Sequence, residues 1–115
     1  MNKDYKGTIV EESLEDNRIL NDIQILSSRI SKDDNPADRW HLYTIKVSRE
    51  DIEKISKYIK SGKWYMHFWK NKEIIAVFKD KLFEFNYDDK STWKEAVAYG
   101  RSLGIPEDQL DFLIE

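Results

Sequence analysis

WYMHFWKNKEIIAVFKDKLFEFNY, residues 64–87, decides how this chain folds. Apolar and aromatic side chains fill three runs, 64–70, 73–79 and 81–87. Only KNK (70–72) and KDK (79–81) separate them, and connections that short can only be tight antiparallel turns. The runs therefore read as a three-strand meander. Alternate side chains of a strand point to opposite faces. Trp64, Met66 and Phe68 thus share one face, and Tyr65, His67 and Trp69 share the other. The first set has a single polar atom, the Trp64 indole N–H, and is expected to pack beneath helices as core. Every member of the second set has a polar tip, which suits a half-wet surface. That set is expected on a partly open face where a ligand or partner docks.

Working outward from the meander, the segment before it begins with a helix start signal. Ser48 and Asp51 form a capping-box pattern, with Glu50 and Asp51 favourable at the positive helix end. Ile52, Ile55 and Ile59 fall on one face, and Gly62 is expected as a left-handed cap. After the meander, Thr92 and Glu95 suggest a second capping box opening a helix over 92–103. Trp93, Ala96, Val97, Gly100 and Leu103 make its inner stripe, Gly104 its cap, and Pro106 forbids continuation. A last short helix is expected from Pro106, carrying Leu110, Leu113 and Ile114. Nearer the start, 7–14, 22–31 and WHLYTIKV (40–47) read as strands, with the polar KDDNPAD (32–38) as a loop. This order predicts an α+β fold. It would be a single two-layer domain over residues 1–115. The mostly antiparallel sheet has five or six strands. Two main helices and a short C-terminal one lie on one face.

Composition bounds the function. The 115 residues are 40% hydrophobic, 13% aromatic and 36% charged, with a formal net charge of −3. One domain of this size buries about two-thirds of its unfolded surface. There is no cysteine, so neither a disulfide framework nor thiolate chemistry is available, and a reducing compartment fits. The opening MNKDYKGTIVEES lacks the apolar run of a signal peptide, and no window is long and apolar enough to span a bilayer. A cytoplasmic protein is the expectation. Charge is unevenly spread: residues 46–81 hold ten basic and five acidic residues, so the middle of the chain is basic although the whole is acidic.

Most familiar chemistries are absent. The four glycines form no phosphate loop or dinucleotide fingerprint. G-x-S-x-G and H-E-x-x-H do not occur. Gly100 to Gly104 formally match GxxxG, but on an amphipathic helix that spacing reads as close packing plus a cap. His41 and His67 lack ligand-like spacing to acids and read as half-buried, hydrogen-bonded rings. The paired acids Glu11-Glu12, Glu15-Asp16, Asp33-Asp34, Asp88-Asp89 and Glu107-Asp108 read as turn and cap residues. No metal, no cofactor and no catalytic residue is expected.

With these residues in place, the chain resembles a family of small uncharacterised bacterial and archaeal proteins. KGTIVEESL, WHLYTIKV, WYMHF and above all YGRSLGIPEDQLDF carry the resemblance, which touches most of the chain. The family pattern is similar to K-G-T-I-x-E-E-S-L at its start and Y-G-x-S-L-G-I-P-E at its close. It has a histidine where this chain has Tyr43, and an acidic residue where this chain has His67. The resemblance thus implies one compact prokaryotic domain in which neither His41 nor His67 is an indispensable ligand. It brings no activity with it.

The functional expectation is a non-enzymatic binding or protein-interaction module. Tyr65, His67 and Trp69, together with Tyr43, would form its platform for a small molecule or a protein. The chain would be a monomer or homodimer. A second reading is a small hydrolase or transferase using His67 with a nearby carboxylate such as Glu84. A third is single-stranded RNA binding through the basic middle and stacking aromatics, against which the pI of about 5.5 speaks.

Overall fold

Asn71 and Asp80 turn the meander, each in the left-handed conformation (φ 56° and 57°) that Asn and Asp tolerate best among non-glycine residues. The computed structural model describes residues 4–110 and 112. The meander strands are β4 (Met66–Lys70), β5 (Glu73–Phe78) and β6 (Lys81–Asn86). Before them come β1 (Tyr5–Val10), β2 (Gln24–Ile30), β3 (His41–Val47) and helix α1 (Arg49–Ile55); helix α2 (Lys94–Ser102) follows. The six strands form one sheet in the order β2-β3-β1-β4-β5-β6, every pair antiparallel. The radius of gyration, 13.7 Å, is that of one compact domain of about this length. The class is α+β, as expected.

The sheet is two three-stranded halves joined at a short seam. β1 and β4 pair at Lys6–Trp69 and Gly7–Phe68. A Cβ on Gly7 would stand 2.4 Å from the Phe68 ring and 2.7 Å from the His67 carbonyl oxygen. Glycine is therefore a steric requirement here, so that the Phe68 ring can lie flat across the neighbouring backbone.

Two apolar clusters take the two faces of the sheet. Ile9, Ile45, Val47, Met66, Phe68, Ile75 and Val77 pack with Ile52, Ile55 and Ile59 on one face. Ile74, Ala76, Phe78, Phe85 and Trp69 pack with Trp93, Ala96, Ile105, Leu110 and Phe112 on the other. β5 contributes to both, so it is buried on both sides. Helices expected together on one face thus lie on opposite faces. The reason is in EIIAVF: a strand without polar alternation must be covered twice. Alternation on β4 holds as read, with Met66 and Phe68 buried beneath α1 and Trp64 half-buried at the same cluster.

Local signals set most of the helix starts. The Ser48–Asp51 capping box forms in both directions. α1 is only seven residues long, too short to persist alone, and is held by Ile52 and Ile55, both fully buried. Each such burial is worth about 1.5–3 kcal/mol. The helix stops well before Gly62, because the chain leaves it to bridge Leu14 with Ile59 and to bond Glu15 N–H to the Tyr58 carbonyl and Lys60 N–H to that of Ser13. Pairing with the turn after β1 wins over further helix. Before α2 the Thr92–Glu95 box is replaced. Asp89 caps a 3-10 turn over Lys90–Trp93, and the Thr92 hydroxyl accepts from the Asn86 N–H instead. Gly104 ends α2 at φ +89°, with Ile105 N–H returning to the Gly100 carbonyl and Gly104 N–H to that of Arg101. The expected last helix is a single 3-10 turn, Glu107–Gln109, after which Leu110 and Phe112 are buried. Leu113 and Ile114 lie outside the described residues.

Gly7→Ala should destabilise the protein by about 1–3 kcal/mol or more, the range for forcing atoms into a filled core. Urea denaturation followed by far-UV circular dichroism checks it, and an unchanged midpoint would mean the seam can open at no cost.

Candidate ligand-binding face

Register decides what shares a face with the aromatic triplet. Lys6 lies opposite Trp69 on β4 and opposite Lys46 on β3. Alternation then places Lys6, Thr8 and Val10 of β1, and Lys46, Thr44 and Leu42 of β3, on the same face as Trp69, His67 and Tyr65. On β2, Gln24, Ser27 and Arg29 join them, opposite Lys46, Thr44 and Leu42. α2 and the residues after it cover this face over β4, β5 and β6. Across β1, β3 and β2 it carries Lys6, Lys46 and Arg29 exposed, with threonine, leucine and valine half-buried between them. The covered half thus ends in a step at β4, and Tyr65, His67 and Trp69 of the expected platform stand on its riser.

Their exposure follows from that position. Trp69 is 9% exposed, so the expectation that it lies open is corrected. The chain beyond Gly104 folds back and lays Phe112 across the riser. The Phe112 ring meets His67 edge-on at 5.6 Å and Tyr65 at 5.8 Å between centroids. The Tyr65 hydroxyl donates to the Gln109 carbonyl oxygen. Tyr65 and His67 remain half-buried at the step. Tyr43 is not brought to them. It lies opposite Ile9, on the α1 face, and its hydroxyl donates to Glu11 at 2.7 Å. Glu84 is likewise on the α1 face, opposite Ile75, with both carboxylate oxygens on Arg49. The expected pairing of His67 with Glu84 is therefore not made.

At the end of the step is a cleft of about 450 Å³ lined by Val10, Ser13, Trp40, Lys63, Trp64, Tyr65 and Gln109. Trp40 is 45% exposed and tilts at 52° against Trp64, 5.7 Å between centroids. The Lys60 ammonium lies 5.8 Å from the Trp64 ring centroid. Tyr65 is the one anticipated site residue in this cleft. Trp40 and Trp64 were legible only as strand residues. β3 begins at His41 and β4 at Met66, so both indoles stand just ahead of their strands.

Next to Trp40, the acids of EES reach β3. Glu12 accepts from the His41 backbone N–H at 2.9 Å, and its other oxygen lies 2.8 Å from His41 Nδ1. Glu11 accepts from Tyr43 and from Asn17. A 3-10 turn over Glu11–Ser13 makes this possible, since consecutive side chains there do not alternate between faces. The hydrogen bond from the His41 ring to the Glu12 carboxylate raises the His41 pKa above its ordinary 6.5. For Glu12, burial pushes upward, but the bonds from the His41 ring and backbone outweigh it and lower the carboxyl below 4.5. Among the described residues, no group of three or more His, Asp or Glu could hold a metal ion. No helix among them is long and apolar enough to cross a membrane.

The fold and the face define a six-stranded antiparallel α+β domain with one half-open, aromatic-edged face. No family model matches the chain, and no curated protein and no solved structure matches it.

The Glu12–His41 pair gives a pH signature. His41, with its pKa raised in the fold, contributes stability below 6.5 that is lost as pH rises through its folded value. Glu12, with its pKa lowered, contributes stability above 4.5 that is lost as pH falls through its folded value. His41→Ala should therefore lower the melting temperature more at about pH 5.5 than at about pH 9. Glu12→Gln should bring the His41 pKa, read by NMR titration, back toward 6.5. An equal loss at both pH values would show that the ring is held by packing alone.

Proposed function

We propose that the protein is a non-enzymatic binding module that docks its ligand in the cleft between Trp40, Trp64 and Tyr65. One observation carries the reading: an indole that is 45% exposed forms a wall of a cleft of about 450 Å³, with a second indole and the Lys63 stem beside it. Ligand sites fall in this size range, and are mostly apolar with a few placed polar groups. Trp and Tyr are also the residues that most often anchor partners. The lysine suits an acidic or hydrogen-bond-accepting group on the ligand. The aromatic sheet face expected from WYMHFW enters through Tyr65 at the cleft and His67 on the riser, while Trp69 supports them from within.

Membership of the bacterial and archaeal family that the motifs resemble is part of the same proposal. It rests on the motif strings alone, KGTIVEESL, WHLYTIKV, WYMHF and YGRSLGIPEDQLDF. A cytoplasmic location is proposed on the lack of cysteine.

NMR chemical-shift screening with metabolites and short peptides tests the module. Hits should perturb the indole N–H signals of Trp40 and Trp64. Trp40→Ala should leave stability within about 0.5 kcal/mol, as a solvent-side change does. It should weaken any hit by about ten-fold or more, roughly 1.4 kcal/mol. Hits that map elsewhere and ignore Trp40→Ala would remove the cleft from the function.

A further inference from the structure

Resting on the binding-module reading, we infer that the occupant is an extended acidic segment of a partner protein. It runs along the open strands β1 and β3, with one bulky apolar side chain in the Trp40–Trp64 cleft.

Two lysines carry the charge half of this inference. Lys6 and Lys46 are directly opposed on adjacent strands and both are exposed. Like charges so placed destabilise a sheet. Among the described residues no ion pair joins either lysine to a carboxylate. Arg29 on β2 shares the face, and no strand position of β1, β2 or β3 on that face is acidic. The fold thus gathers Lys6, Lys46 and Arg29 on one open face with no acidic strand position among them. An acidic ligand relieves that repulsion.

Polarity changes along the face in one direction. From Lys6 and Lys46 it passes through Thr8 and Thr44 to Val10 and Leu42, and ends at Trp40. Lys46 and Trp40 are separated by six strand steps, about 20 Å at the usual rise. An extended segment of about six residues covers that distance, acidic at one end and apolar at the other. Threonines along the way offer hydroxyls to its backbone.

A single-stranded nucleic acid fits less well. It needs a series of open ring faces for its bases. Here Trp69 is 9% exposed, and the Tyr65 and His67 rings are packed against Phe112, which leaves Trp40 as the exposed indole beside this face. The chain's net charge of −3 also repels a polyphosphate at longer range.

The test pans a random dodecapeptide display library on the wild-type chain and on the Lys6→Glu/Lys46→Glu double variant. Peptides enriched on the wild type are then titrated by fluorescence anisotropy at low and moderate salt. The expected sequences join clustered Asp or Glu to one Phe, Trp or Leu. They should lose about ten-fold or more in affinity for the double variant and on raising salt. Circular dichroism of the variant checks that the fold is intact, and Lys6→Gln provides a milder change if it is not. Enrichment of neutral or basic peptides, or equal binding by wild type and variant, overturns the acidic-segment inference. If such peptides still depend on Trp40, the cleft stands and only the partner chemistry falls. If no peptide depends on Trp40, the binding-module reading fails as well. A single-stranded thymidine dodecamer that binds more tightly than every selected peptide would transfer the face to nucleic acid and overturn the inference.

Discussion

The close approach of β1 to β4 at Gly7 is the constraint on which the other features depend. The two three-stranded halves meet there, and the Phe68 ring occupies the space where any other residue would place its Cβ. Phe68 is fully buried and belongs to the cluster under α1, so the seam and that core form together. On the other face the same seam sets Lys6 against Trp69. It thereby brings the open half of the sheet up to the aromatic riser. Without it the molecule would be two separate three-stranded sheets, each with a further unpaired edge.

The half-open face follows from unequal cover. β5 is apolar on both sides and demands two layers. α2 and the described residues beyond it supply one of these over the meander, and among the described residues they do not extend across β1, β3 and β2. Those strands alternate, burying Ile9, Ile45 and Val47 and turning lysine and threonine outward, so they are stable with one face in water. The boundary between the two regimes is where aromatic groups with polar tips are useful, and Tyr65 and His67 stand there. The proposed docking site thus falls where burial stops.

The edge strand β2 is exposed throughout, with Ile25, Leu26 and Ile30 among the largest exposed apolar residues. The sheet tempers this edge. Register shifts between Ile25 and Ser27, and an irregularity of that kind twists an edge away from flat pairing. Arg29 adds charge to the same strand. The irregularity and the charge both work against edge-to-edge pairing there.

By itself the sequence determined the elements whose signals are local. The meander, the Ser48–Asp51 cap, the α2 stripe and the Gly104 corner depend on neighbours within a few positions, where turn chemistry and periodicity act. WYMHFW also revealed its alternation, so Met66 and Phe68 were readable as core. Tertiary structure decided what those elements meet. It put the helices on opposite faces, because the double burial of EIIAVF is satisfied only by packing from both sides. It buried Trp69 in the cluster packed with α2, and it sent Tyr43 and Glu84 to the face away from His67, since register across strands is a long-range choice. It joined Glu12 to His41 across 29 positions of chain, and it made a cleft from Trp40 and Trp64, two indoles just outside the strands. A surface is a property of distances between strands, and no periodicity along one strand encodes it.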